Sequence, residues 1–139
     1  MFIDVAEHAG ATTMPGVLIH RFEAPLIFAN AEVFTDDVLA KVTAADPPPA
    51  TVILDFAAVS DVDSTGDAAL ADLKRTLGER GVQLLLARTT ATLRRLMRAD
   101  GTVAAIGSDN VFPTVRDAVA ALETEQSQTS SRSSASSTS

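Results

Sequence analysis

Asp61, Asp63, Ser64 and Thr65 stand within one short stretch, and Gly66 closes it. Carboxylates so spaced are able to work as an acid–base pair, as are Asp36 and Asp37, but turns and helix starts carry such acids far more often for solvation alone. The hydroxyls offer a different chemistry. A phosphate on Ser64, or one bound beside it, brings about -1.5 to -2 charges at pH 7. It would meet the unpaired N–H groups of a helix start on one side and the two carboxylates on the other, which makes a charge switch. A plain structural use is also open: Ser64 caps the helix, with Asp67 three positions on as its partner, and such caps are the commoner use of a serine at this place. Metal chemistry has little to work with. The chain holds no cysteine and two histidines, His8 and His20, neither with a ligand spacing; both read as surface or strand-face residues, and no metal site is expected. Neither a Gly-x-x-x-x-Gly-Lys-Ser/Thr loop nor a Gly-x-Gly-x-x-Gly turn occurs, so NTPase and dinucleotide chemistry lack their phosphate cradles.

These residues need a strand behind them and a helix in front. Thr51–Phe56 is almost wholly apolar and β-rich, the mark of a strand buried on both faces. After it, Leu70, Leu73 and Leu77 recur at helical spacing, and Gly81 ends that helix. The same reading extends along the chain. Val17–Phe22 predicts a first strand, and Leu26–Ala29 a second, antiparallel to it after the brief Glu23-Ala24-Pro25 turn. Asn30 predicts an N-cap for a helix carrying Phe34, Val38 and Val42, stopped by Pro47-Pro48-Pro49. Val82–Ala87 is another buried strand. Thr89 or Thr90 caps a third helix with Leu93, Leu96 and Met97 inward, closed near Gly101. Val103–Ile106 predicts a short strand, Asn110–Pro113 a turn, and Thr114 with Asp117 a capping box for a last helix burying Val115, Val119 and Leu122. Phe2–Val5 adds a short strand. The whole predicts an α/β fold, a mixed central sheet with about four helices, and right-handed crossovers between its parallel strands.

Composition sets the outer bounds. The 139 residues include six Phe and no Trp or Tyr, so the core must be built mainly from Val, Leu, Ile and Ala. A net charge of -7 argues against nucleic acid as a partner. No apolar run approaches the roughly 18–20 residues that cross a bilayer, and the start lacks the pattern of a signal peptide. Residues 1–16 read as a linker, 17–123 as the domain, and 124–139, rich in Ser and Thr, as a disordered tail. Within the acidic chain, Arg88, Arg94, Arg95 and Arg98 gather four of the eleven basic residues. A solvated helix face is the plain reading; contact with lipid head groups or an acidic partner is the sharper one.

The strand Val52-Ile53-Leu54-Asp55-Phe56, then Val59, then Asp63-Ser64-Thr65-Gly66, then Leu70, Leu73 and Leu77 resemble the signature of STAS domains, found in SulP sulfate transporters and in bacterial anti-sigma-factor antagonists. The resemblance spans Val17–Leu122. Within that family, Ala24-Pro25-Leu26-Ile27-Phe28-Ala29-Asn30-Ala31 looks like the transporter branch, where an apolar strand runs into Phe-x-Asn-Ala; Pro15-Gly16-Val17-Leu18 and Arg21 fit the same branch. Phe28 and Phe34 are themselves read as core.

The resemblance implies the STAS fold and a non-enzymatic regulatory module of a sulfate or anion transporter. It would lie at the cytoplasmic face of the membrane, with residues 1–16 as its tether. Its partners would be the transporter's membrane domain and other cytosolic proteins. No cofactor is required; GTP, GDP or ATP is the implied regulatory ligand. The resemblance and the fold type point to Asp63, Ser64, Thr65 and Gly66 for its phosphates, with Arg88 and Thr89 at the end of the next strand as the other wall. The alternative is a free-standing antagonist whose target for a regulatory kinase is Ser64, with Thr65 as the second choice.

Overall fold

The computed structural model describes residues 15–136. The expected strand at Phe2–Val5, His8 and most of the 1–16 linker lie outside them. The elements are β1 (Val17–Arg21), α1 (Ala31–Ala44), β2 (Thr51–Asp55), α2 (Ser64–Glu79), β3 (Gln83–Ala87), α3 (Ala91–Ala99), α4 (Thr102–Ile106), β4 (Val111–Phe112) and α5 (Val115–Ser136). The strands form one sheet in the order β1-β2-β3-β4. Every pairing is parallel, with Val17 opposite Thr51, Thr51 opposite Gln83 and Leu86 opposite Val111. Among the described residues the sheet is therefore parallel, not mixed.

That order explains the layers. Each crossover steps to the next strand in the same direction. With one handedness, all crossover helices must then land on one face. They do: Val52, Leu54, Leu84 and Leu86 pack with Phe34, Val38, Leu70, Leu73, Leu77, Leu93, Met97 and Ile106 in one cluster. The alternate strand residues Ile19, Ile53, Leu85 and Ala87 point to the opposite face. Among the described residues α5 covers that face, through Val115, Ala118, Val119 and Leu122.

Three expected elements differ. The strand at Leu26–Ala29 shrinks to a single bridge, Leu26 with Val62, and it is parallel. The backbone there is already engaged: Asn30 Oδ1 accepts the Ile27 N–H at 2.9 Å and an Asp63 oxygen accepts the Phe28 N–H at 3.0 Å, which leaves no ladder to build. Val103–Ile106 is helical, not extended. Its buried Val103 and Ile106 are three apart, a helical spacing, and Gly101 and Gly107 flank it with φ of 83° and 98°. The fourth strand falls instead on Val111–Phe112, where a turn was expected.

The helix α5 also runs on to Ser136, through the segment read as a disordered tail. No Gly or Pro follows Pro113. Once Val115, Val119 and Leu122 anchor the first turns, nothing local stops propagation. Its start is as expected, with Thr114 Oγ1 accepting the Asp117 N–H at 2.9 Å. Two apolar residues read as inward are outward: Leu96 is 46% exposed and Phe28 78%.

His20 lies on the face of β1 that meets α1. It is buried, not a surface residue. Its ring stands edge-on to Phe34 at 6.1 Å, and its Nδ1 is 2.9 Å from Lys41 Nζ. Burial first, then the Lys41 charge, lowers its pKa from 6.5 to about 4, with Asp37 opposing. The native state thus refuses a proton that the unfolded chain accepts below 6.5. Stability should be flat above that value and fall as the pH drops from 6.5 toward 4. Urea unfolding across this range measures it, and His20→Leu should flatten the slope. Phe34→Ala, at the meeting point of His20, Phe22 and Phe56, should cost about 3–5 kcal/mol in the same assay.

Candidate functional site

The strand β2 delivers the chain to the end of the sheet, and the loop 56–63 returns it to the start of α2. Phe56, Val59 and Val62 are buried and pin this loop from below. Leu26 clamps it from the side: its N–H donates to the Asp61 carbonyl at 2.9 Å, and its own carbonyl accepts the Asp63 N–H at 3.2 Å.

Asp63, not Ser64, caps α2. One oxygen accepts the Gly66 N–H at 2.8 Å, and the other accepts the Phe28 N–H at 3.0 Å. The Gly66 N–H, then the Phe28 N–H, hold the Asp63 carboxyl below the usual carboxylate range. The carboxylate thus occupies the place where an anion would meet the helix start. A ligand phosphate would have to displace it. Ser64 is consequently relieved of capping. It and Thr65 are exposed in the first turn of a 16-residue helix.

Gly66 is demanded by space. A Cβ there would stand 2.1 Å from the Leu26 carbonyl oxygen and 3.0 Å from Val62 Cγ1. The next residue, Asp67, accepts the Thr102 hydroxyl of α4. Burial raises its pKa, and the adjoining Asp100 carboxyl adds to the rise, against the Thr102 hydrogen bond.

Ile53 and Asp55 share the α5 side of β2 by strand alternation, and Arg88 Nη1 lies 3.4 Å from Asp55 Oδ2. Asp55 is fully buried, and its other oxygen accepts the Ala57 N–H at 3.0 Å. Arg88 adopts φ of 64° to make this turn. The Thr89 hydroxyl is buried and has no hydrogen-bond partner among the described residues; Thr90 takes the cap of α3 instead, accepting the Leu93 N–H at 3.1 Å. Among the described residues no hydrogen bond or ion pair joins Arg88 or Thr89 to Asp63–Gly66. The structure brings the Asp63–Gly66 turn together with Leu26–Ala29.

What lies beside Ser64 and Thr65 is an open cleft of about 570 Å³ lined by Phe28, Ala29, Ala31, Glu32, Val33, Asp36 and Thr65. Phe28 and Val33 are its exposed apolar members, 78% and 65% exposed. Glu32 and Asp36 supply an acidic rim from one face of α1. The Phe-x-Asn-Ala string marked this place in the sequence, but its apolar character suggested core. Among the described residues no helix is long and apolar enough to cross a membrane, and no group of three or more His, Asp or Glu is placed to hold a metal.

A parallel sheet, an acid-capped helix start and Thr65 at the wall of an open cleft define a domain of the α/β class. The STAS domain model matches residues 8–118, and the chain belongs to that family. It is 36% identical over 122 residues to a probable sulfate transporter of Mycobacterium tuberculosis, a match covering 86% of this chain and 21% of that one. Among solved structures it is similar to the STAS domain of a SulP transporter from Vibrio cholerae, with a TM-score of 0.68, 25% identity and 89% and 94% of the two chains covered. It is similar also to the murine solute carrier 26 family member A9 anion transporter, with a TM-score of 0.71, 33% identity, and 88% of this chain and 20% of that one covered. An anti-sigma factor antagonist from Thermotoga maritima shares the fold at 14% identity and a TM-score of 0.68. The chain spans about a fifth of the length of the sulfate transporters it matches. STAS domains are generally non-catalytic regulatory domains.

Gly66→Ala must push the Leu26 carbonyl aside and should destabilise the domain by about 3 kcal/mol in urea unfolding, as overpacking does. The amide protons of Phe28 and Gly66 should titrate together in an NMR pH series, with a midpoint below the ordinary 3.8. The contribution of the cap is present above that range and lost as the pH falls through the lowered value. Asp63→Ala should remove both titrations and speed hydrogen exchange at Phe28.

Proposed function

We propose that this chain is the regulatory STAS domain of a SulP-type sulfate or anion transporter, working at the cytoplasmic face of the membrane without catalysing a reaction. The observation that carries this reading is the 36% identity across 86% of the chain to one fifth of a probable sulfate transporter. The geometry supports it: the exposed Phe28 and Val33 beside the α2 start form a surface for a protein contact rather than a catalytic constellation. The partner of that surface is the transporter's membrane domain or another cytosolic protein, and no nucleic acid. A purine nucleotide enters the proposal as a regulatory ligand at Asp63–Gly66, with Arg88 and Thr89 as the other wall.

An antibody against the domain tests the main reading in source cells. A band about five times the mass of this chain, in the membrane fraction, is expected from the one-fifth coverage. A 14.5 kDa band in the soluble fraction would overturn it. NMR titration with GTP, GDP and ATP tests the ligand. Shifts clustered on Asp63–Gly66 are expected, and scattered or absent shifts at millimolar nucleotide remove it from the proposal.

A second reading is favoured by one observation, the exposed Ser64 that Asp63 has relieved of capping. In it the chain is a free-standing antagonist switched by a kinase at Ser64, with Thr65 as the alternative acceptor. The soluble band, together with phosphate on a Ser64 peptide in mass spectrometry, would establish it.

A further inference from the structure

The most uneven charge in the molecule is on α3. Between Gly81 and Ala99 the chain carries Arg88, Arg94, Arg95 and Arg98 and no Asp or Glu, although its net charge is -7. The helix has a sharp division of faces. Leu93 and Met97, four apart, are buried. Arg94, Arg95 and Arg98 occupy the opposite side, where positions three and four apart converge. Arg95 and Arg98 are exposed and Arg94 is half-buried.

None of these three forms an ion pair among the described residues. Arg88, by contrast, is held by Asp55. Asp100, the nearest acid along the chain, is engaged by the Asp67 carboxyl on the other side of the helix end. Leu96, 46% exposed, stands at the border of the basic face. Uncompensated guanidinium groups in an acidic protein are therefore concentrated on one short helix and flanked by an exposed leucine.

We propose that the Arg94–Arg95–Arg98 face of α3 is a docking surface for anionic lipid head groups. Charge complementarity identifies the occupant. The three arginines project from a convex helix face, outside the one cleft described above, and so suit a plane of many equivalent phosphates rather than one enclosed ligand. Each basic side chain at an anionic membrane surface strengthens attachment by about fivefold. Leu96 adds an apolar edge able to enter the head-group boundary. Acidic residues on distant faces weaken this attraction little, because charges more than about 10 Å away are screened at about 0.1 M salt. The inference rests on the proposed attachment to a transporter, which would keep the domain within reach of a bilayer.

Flotation of the chain with phosphatidylcholine vesicles, with and without phosphatidylglycerol, tests it. Binding is expected only to the anionic vesicles, and it should weaken as salt rises. The triple change Arg94→Gln, Arg95→Gln and Arg98→Gln should lower the partition on the order of one hundredfold at low salt. Lys74→Gln with Arg75→Gln, on α2, should leave it within about twofold. Circular dichroism confirms that each variant is folded. Equal flotation on neutral and anionic vesicles overturns the proposal, as does a triple variant that binds like the parent. NMR shifts on α3 with inorganic phosphate but no vesicle binding would also overturn it, in favour of a small anion. The vesicle result reads α3 alone, whereas the membrane-fraction blot reads attachment to a transporter, so the two ideas fail separately.

Discussion

The two oxygens of Asp63 tie together parts of the chain that are far apart in sequence. One holds the first turn of α2 through Gly66, and the other holds Phe28 in the loop after β1. The charge is held at the helix start by N–H groups that would otherwise face solvent unpaired. With that carboxylate in place, Leu26 is aligned against the 61–63 backbone, Gly66 is pressed on the Leu26 carbonyl, and Phe28 is turned outward. The cleft, the exposed Ser64 and the loop geometry all follow from this one bridge. A charge added at Ser64 would arrive beside the group that positions Phe28, which links modification to surface shape by a path of two hydrogen bonds.

A second constraint acts on the scale of the sheet. Stepping from strand to strand in one direction places α1 to α4 on the same face. The other face carries Ile19, Ile53, Leu85 and Ala87, and among the described residues α5 packs on it. That last helix therefore completes the core rather than decorating it. The arrangement also places Asp55 on the α5 side, where Arg88 Nη1 reaches it at 3.4 Å.

The charge distribution separates two surfaces with opposite preferences. The cleft beside Ser64 is apolar with Glu32 and Asp36 at its rim, and the outer face of α3 is basic. One suits a protein segment and the other an anionic surface. The chain belongs to the STAS family, whose domains are generally non-catalytic and regulatory.

Much of this was legible in the residues. Periodicity placed β1, β2, β3 and the buried stripes of α1, α2 and α5, because a continuous apolar run or an i, i+3, i+4 pattern has few ways to hide from water. Resemblance in Asp63–Gly66 and its flanks identified the family from composition of short strings. Tertiary structure alone decided the rest. Leu26–Ala29 is apolar enough for a strand, yet its Ile27 and Phe28 N–H groups go to side chains, of Asn30 and of Asp63, 35 residues from Phe28. A four-residue apolar run such as Val103–Ile106 fits helix or strand alike, and the flanking glycines and the core beneath it chose helix. Ser64 and Asp63 are both competent caps by type; the reach of Phe28 to a second oxygen favoured the aspartate. Local sequence states what each residue is able to bond, but which of those bonds forms depends on what the folded chain carries to within 3 Å.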